Sequence, residues 1–157
     1  MILAGEMGAR RQAHAEEKGY KPFGGFASPK LHVTGYLGEM AMARYLGVPM
    51  PSGWDWEADK ARGHDVAGWH CRSSSKPDGR LLLKPGDPEG NYVLILTHDR
   101  PTCWIVGWTT KERGRRLGFK EYLGDQPVKY VAQHLLISLP DVRGSFCLKG
   151  EGNGRAA

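Results

Sequence analysis

Tyr92-Val-Leu-Ile-Leu96 is apolar at every position, and that uniformity decides the fold. A strand with one wet face alternates apolar and polar residues, whereas an unbroken run of this length between Pro, Gly and Asp turns fits a central strand covered on both faces. A sheet built around it needs helices on at least one side. Working outward, Leu81 to Lys84 and Cys103 to Thr109 are the neighbouring strands, and Asp65-Val66 with Trp69 to Ser73 form the arms of a tight hairpin through Ala67-Gly68. The class is α/β, with a mixed sheet of four to five strands flanked by helices.

Upstream, Leu3 to Lys18 is rich in helix formers and stops at Gly19, which supplies a left-handed residue after a helix end. This run carries few large apolar residues, so its stability must come from one thin packed face or from a partner. Tyr20 to Thr34, with Pro22, Gly24, Gly25 and Pro29, is expected to be an irregular connector. A second helix from about Tyr36 to Leu46 places Leu37, Met40, Ala41 and Tyr45 at helical spacing, and Gly47, Pro49 and Pro51 end it. Glu39 falls on the stripe of Met42, Ala43 and Leu46 beside the core face, where a carboxylate is either at the rim or buried with a partner. Gly38 and Ala43 leave room for close approach to the next layer. Downstream, Lys111 to Arg116 is expected to be a basic turn, and Gln126-Pro127 with Val131 to Leu139 a short helix or strand.

The 157 residues suit one domain over residues 1–150, followed by a disordered tail at 151–157. Twenty-two Lys and Arg against 17 Asp and Glu give a net charge of +5, which favours polyanions without naming one. Three scattered cysteines, Cys71, Cys103 and Cys147, form neither a disulfide framework nor a zinc spacing, so a reducing cytoplasm is expected. The opening Met1-Ile-Leu-Ala4 is too short for a signal-peptide core, and no window reaches the length of a membrane span.

The residues that could carry chemistry are Glu39, on the second helix, and Asp65, at the start of a strand. They are followed by His70-Cys-Arg72, in which His70 and Arg72 share one face because strand residues alternate. Two carboxylates from different elements can anchor a divalent ion that neutralises a phosphate and activates water.

The segments Gly35-Tyr-Leu-Gly-Glu-Met-Ala41, His64-Asp-Val-Ala-Gly-Trp-His-Cys-Arg72, Leu81-Leu-Leu-Lys-Pro-Gly-Asp87, Tyr92 to Leu96 and Trp104-Ile-Val-Gly-Trp108 together resemble small phage and bacterial members of the PD-(D/E)XK nuclease superfamily. The resemblance covers about residues 30 to 139. It implies a restriction-endonuclease-like sheet and a metal-dependent endonuclease that hydrolyses DNA phosphodiesters. Glu39 would then match the helical acid, Asp65 the metal-binding Asp, His70 the second carboxylate and Arg72 the lysine, with Mg²⁺ or Mn²⁺ held by Glu39, Asp65 and His70. At the last two positions the chain departs from the pattern. A His brings no negative charge to the ion, and an Arg stays protonated and cannot act as a base. Lys76 and Lys84 are the lysines that could stand in. The departure opens an alternative in which the chain is a catalytically inactive nuclease-like protein that binds nucleic acid or serves as a phage accessory or virion component. DNA is the expected partner on either reading. A homodimer and a phage or host protein partner are also consistent with the resemblance, and a phage-encoded chain would act in the bacterial cytoplasm.

Taken singly, these residues have plainer explanations. Glu39 is a solvated Glu in most helices, Asp65 a turn residue, His64 a surface His, and Cys71 a small thiol on the core side. Trp69, Trp104 and Trp108 lie in strands and are expected in the core, which leaves Trp54 and Trp56 as exposed aromatics. Arg100, Lys111, Arg113, Arg115 and Arg116 are the candidates for tracking a phosphate backbone.

Overall fold

The computed structural model describes residues 2–17, 19, 29–49, 63–100, 102–139 and 145–147. Helices α1 (Ile2–Glu17) and α2 (Pro29–Leu46) come first, followed by β1 (Trp69–Ser74), β2 (Leu81–Leu83), β3 (Asn91–Leu96) and β4 (Thr102–Thr110). A short helix α3 (Lys111–Leu117), β5 (Phe119–Leu123), β6 (Gln126–Val131), a 3-10 turn (Gln133–Leu135) and β7 (Ser145–Cys147) complete the order. The α/β class holds. The single sheet expected from the sequence is instead two: a four-stranded sheet in the order β1-β3-β4-β7, and a three-stranded sheet in the order β2-β6-β5.

β3 is parallel to β1 and antiparallel to β4, and Tyr92 to Leu96 are all buried. Val93 and Ile95 join Tyr36, Leu37, Ala41 and Met42 of α2 in one cluster. Tyr92, Leu94 and Leu96 face the other way and pack with Leu81, Leu83 and Val131 of the second sheet. The uniform apolar run is thus explained by two different covers, helices on one side and a sheet on the other.

α2 begins at Pro29, inside the expected connector, because Pro is well tolerated in a first helical turn. It ends where Gly47 turns to φ +65° and the Val48 amide donates to the Ala43 carbonyl at 3.0 Å. Gly19 takes φ +64° after α1 in the same manner. Gly38 lets α2 lie close to β1, since a methyl group there would overlap the Ser73 hydroxyl.

Lys111 to Arg116 is a helix and not a turn. Thr110 caps it by accepting from the Arg113 amide at 3.2 Å, and Glu112 sits in its first turn. β5 answers to no expected element. Trp104 is 42% exposed and not in the core, while Trp69 and Trp108 meet edge to face at 5.4 Å as part of the helix-side cluster. Trp54, Trp56 and the tail at 151–157 lie outside the described residues. Among the described residues no helix is long and apolar enough to cross a membrane.

Candidate functional site

α1 packs along α2 and lays Arg11 over Glu39. Arg11 Nη1 donates to Glu39 Oε1 at 2.9 Å and Nη2 to Oε2 at 2.7 Å, with both side chains only 12% exposed. The guanidinium also stands 5.3 Å from the centre of the Tyr36 ring. Burial pushes the Glu39 carboxyl above its ordinary range, Arg11 pulls against that, and the charge of Asp65 adds to the upward push. Burial also opposes the charge of Arg11, but Glu39 outweighs it and the pKa of Arg11 rises.

Asp65 is presented by the expected turn. Ala67 at φ +43° and Gly68 at φ +85° reverse the chain, so that Val66 bridges to Trp69 and the Asp65 amide donates to the Trp69 carbonyl at 3.0 Å. The Cys71 amide then donates to Asp65 Oδ2 at 2.6 Å, pinning the carboxylate to β1. The structure therefore brings Glu39 and Asp65 into one electrostatic neighbourhood.

His70 stays within reach of the Asp65 charge, but His70 and Arg72 lie on the face of β1 away from Glu39. Trp69 and Cys71 pack toward α2, and Ser73 meets Gly38, so the intervening residues of β1 point to the opposite face. The face shared with Glu39 carries Cys71 and Ser73. Burial, then Asp65 and Glu39, push the Cys71 thiol well above its ordinary pKa, so it stays protonated at neutral pH. The Ser73 hydroxyl is buried with no hydrogen-bond partner among the described residues.

On the other face, His70 is buried and stacks on Tyr92 at 4.5 Å. Burial lowers its pKa, with Arg72 in support and Asp65 and Asp87 opposing. Arg72 Nη2 lies 2.8 Å from Asp87 Oδ1, its Nε donates to the Leu82 carbonyl at 3.2 Å, and its guanidinium faces the Tyr92 ring. Asp87 in turn accepts from the Lys84 amide at 2.8 Å. These groups join β1 to β2 and to the turn before β3, which is a structural duty for both His70 and Arg72. Lys76 is exposed in the turn after β1, and Lys84 feels the charges of Arg72 and Asp87, on the face away from Glu39.

Among the described residues, no three His, Cys, Asp or Glu side chains gather closely enough to hold a metal ion. The donor chemistry agrees. Both Glu39 oxygens accept from Arg11, Asp65 Oδ2 accepts from an amide, and the Cys71 thiol keeps its proton. This set fits Mg²⁺ or Mn²⁺ poorly, because an ion at Glu39 would have to displace the Arg11 guanidinium and the protonated thiol brings no charged oxygen.

The expected phosphate-tracking cations divide. Arg100 Nη2 donates to Thr34 Oγ1 at 2.8 Å and ties α2 to the end of β3. Lys111 is buried with its Nζ 2.9 Å from Glu89 Oε1, and Arg113 Nη1 donates to the Leu135 carbonyl at 2.8 Å. Only Arg115 and Arg116 of the five are both exposed and without such a tie among the described residues. Arg115 lines a cleft on the second sheet with Lys84, Lys120 and Lys129. Lys120 and Lys129 escaped the sequence reading, although both lie symmetrically about Gly124-Asp125, a turn pair that makes them opposite neighbours in a hairpin.

No protein-family model, curated protein or solved structure matches the chain.

Proposed function

We propose that this chain is a restriction-endonuclease-like domain that binds nucleic acid without metal-dependent cleavage. One observation carries the reading: Arg11 occupies both oxygens of Glu39, so a fixed organic cation sits where the resemblance would have a divalent ion. A guanidinium neutralises the buried carboxylate as an ion would, but it offers no open coordination position and cannot activate water. Asp65 lies before the turn into β1, tied to that strand by the Cys71 amide, and the β1 positions on the α2 side are a protonated thiol and a hydroxyl. On this reading a nuclease frame is retained as a scaffold, with one of its acids taken into an internal ion pair. The net charge of +5 and the cations gathered on the second sheet support nucleic acid as the partner.

Calorimetric titration with Mn²⁺ and incubation of supercoiled plasmid with Mg²⁺ or Mn²⁺ test the loss of chemistry. Neither binding nor nicking is expected, and affinity for an oligonucleotide should be the same in EDTA. Metal-dependent nicking that disappears in Asp65→Ala would overturn the proposal and restore the endonuclease reading.

A further inference from the structure

The cleft on the second sheet has a volume of about 300 Å³, and its charged lining among the described residues is Lys84, Arg115, Lys120 and Lys129, with no carboxylate among those residues. Three separate elements build it: the segment after β2, helix α3 and the β5–β6 hairpin. Pro85 and Pro127 form part of its wall. Lys120 and Lys129 are directly opposed across β5 and β6, an arrangement in which like charges repel. The Lys129 Nζ leans onto the Gly118 carbonyl at 3.0 Å, which eases the repulsion without neutralising it.

Two of the acids nearby are engaged elsewhere. Glu121 projects from the other face of β5 into a two-pronged pair with Arg80, at 2.9 and 3.0 Å, and Asp87 is held by Arg72. Burial and the charge of Arg72 lower the pKa of Lys84, and Asp87 pulls the other way. An anion entering the cleft would relieve the repulsion between Lys120 and Lys129. At the rim, Tyr122 is 64% exposed, on the same face of β5 as Lys120, whose Nζ lies 5.3 Å from its ring centre. Tyr122 is paired in register with Pro127 of the cleft wall.

We infer that this cleft is a binding site for single-stranded nucleic acid, with Arg115, Lys120 and Lys129 around a backbone phosphate and Tyr122 stacking on an adjacent unpaired base. The inference rests on the proposed function and adds to it the surface and the form of the ligand. A flat exposed aromatic beside a cationic trough is how single strands are held without sequence readout, and a duplex offers Tyr122 no free base face. The sugar is open to either DNA or RNA, because the contacts are to phosphate and base face.

Fluorescence anisotropy with labelled oligodeoxythymidylate, oligouridylate and a duplex of equal length tests it. Wild type should bind the single strands more tightly than the duplex, and the tighter of the two single strands names the sugar. Arg115→Ala and Lys120→Ala, both at exposed positions, should each weaken binding and reduce the slope of log affinity against log salt by about 0.7. Tyr122→Ala should weaken single-strand binding by roughly 5- to 100-fold and leave that slope unchanged. Lys76→Ala, an exposed lysine in the turn after β1, should bind as wild type does. Tight binding that all three cleft variants leave intact would overturn the cleft assignment while the proposed function stands. Failure of wild type to bind any of the three ligands would overturn both.

Discussion

Removing Arg11 should turn the stability of this protein into a function of pH. In Arg11→Met the aliphatic stem is largely kept, but Glu39 loses two hydrogen bonds and its counter-charge at a side-chain exposure of 12%. Breaking one member of a buried pair costs about 3–5 kcal/mol when the other charge stays unpaired. Glu39 has a second way out, which is to take up a proton. From its reference pKa of 4.5 to pH 7 is 2.5 units, and at about 1.36 kcal/mol per unit the escape costs about 3.4 kcal/mol. The smaller of the two costs governs, so a loss of about 3 kcal/mol is expected at pH 7. The same reckoning leaves a proton cost of only about 0.7 kcal/mol at pH 5. A carboxyl whose folded pKa is raised contributes stability that is complete below its unfolded pKa and is lost as pH rises through the folded value. The variant should therefore weaken progressively from about pH 4.5 upward, relative to wild type. Urea unfolding followed by tryptophan fluorescence at several pH values measures this directly. The double variant Arg11→Met/Glu39→Leu should recover to within about 1 kcal/mol of wild type, because a well-packed apolar pair replaces the ionic one. A loss in the single variant that is below about 1 kcal/mol at pH 7, or that does not change with pH, would refute the account of Glu39 as a buried charge dependent on Arg11.

Two further outcomes follow from other parts of the frame. The pKa of His70 is depressed below 6.5 chiefly by burial, so its contribution is complete above that value and is lost as pH falls through the folded pKa. His70→Phe, which keeps a ring against Tyr92, should flatten the fall in melting temperature below about pH 6.5, and an unchanged acid profile would show that His70 is not the group being protonated. Ala67 sits at φ +43°, a region that costs a residue with a Cβ about 1–2 kcal/mol. Ala67→Gly removes that cost but adds some chain entropy to the unfolded state, so a net gain of a few tenths to about 1 kcal/mol in urea unfolding is expected. A loss of stability would mean that the Ala67 methyl group makes a contact worth more than the strain.

What the sequence disclosed depended on how strongly each segment's environment marks its residues. β3 was legible because burial on both sides removes polar residues altogether, and Gly19, Gly47 and Ala67-Gly68 were legible because a left-handed backbone selects for small residues. α3 was hidden by Gly114 and by four cations that look like a solvated turn, although Thr110 and Glu112 carried the cap signal. The glycine is there because helix and sheet touch: a methyl at Gly114 would collide with Leu83. β5 was hidden because its residues are largely exposed and mix charged with aromatic side chains. For the candidate site, the charge of Asp65 reaches Glu39, and His70 and Arg72 alternate with Cys71 along β1. Which of those two sets faces the acids could not be read, because β1 is covered on both sides and both of its faces carry polar residues. The missing information was the second sheet, which claims Arg72 through the Leu82 carbonyl, while His70 stacks on Tyr92 of β3. Arg11 gave no signal at all, since a lone arginine on a weakly amphipathic helix looks solvated until a partner helix lies beneath it.

The alternation along β3 has one more implication. Val93 and Ile95 belong to the helical layer, while Tyr92, Leu94 and Leu96 belong to the second sheet, so five consecutive residues act as a shared keel for both halves. Prising the sheets apart would strip one entire side of that keel to water. The layer that carries the Arg11–Glu39 pair and the layer that carries the cationic cleft are thus not interchangeable modules. Neither could be grafted onto another scaffold without taking β3 along.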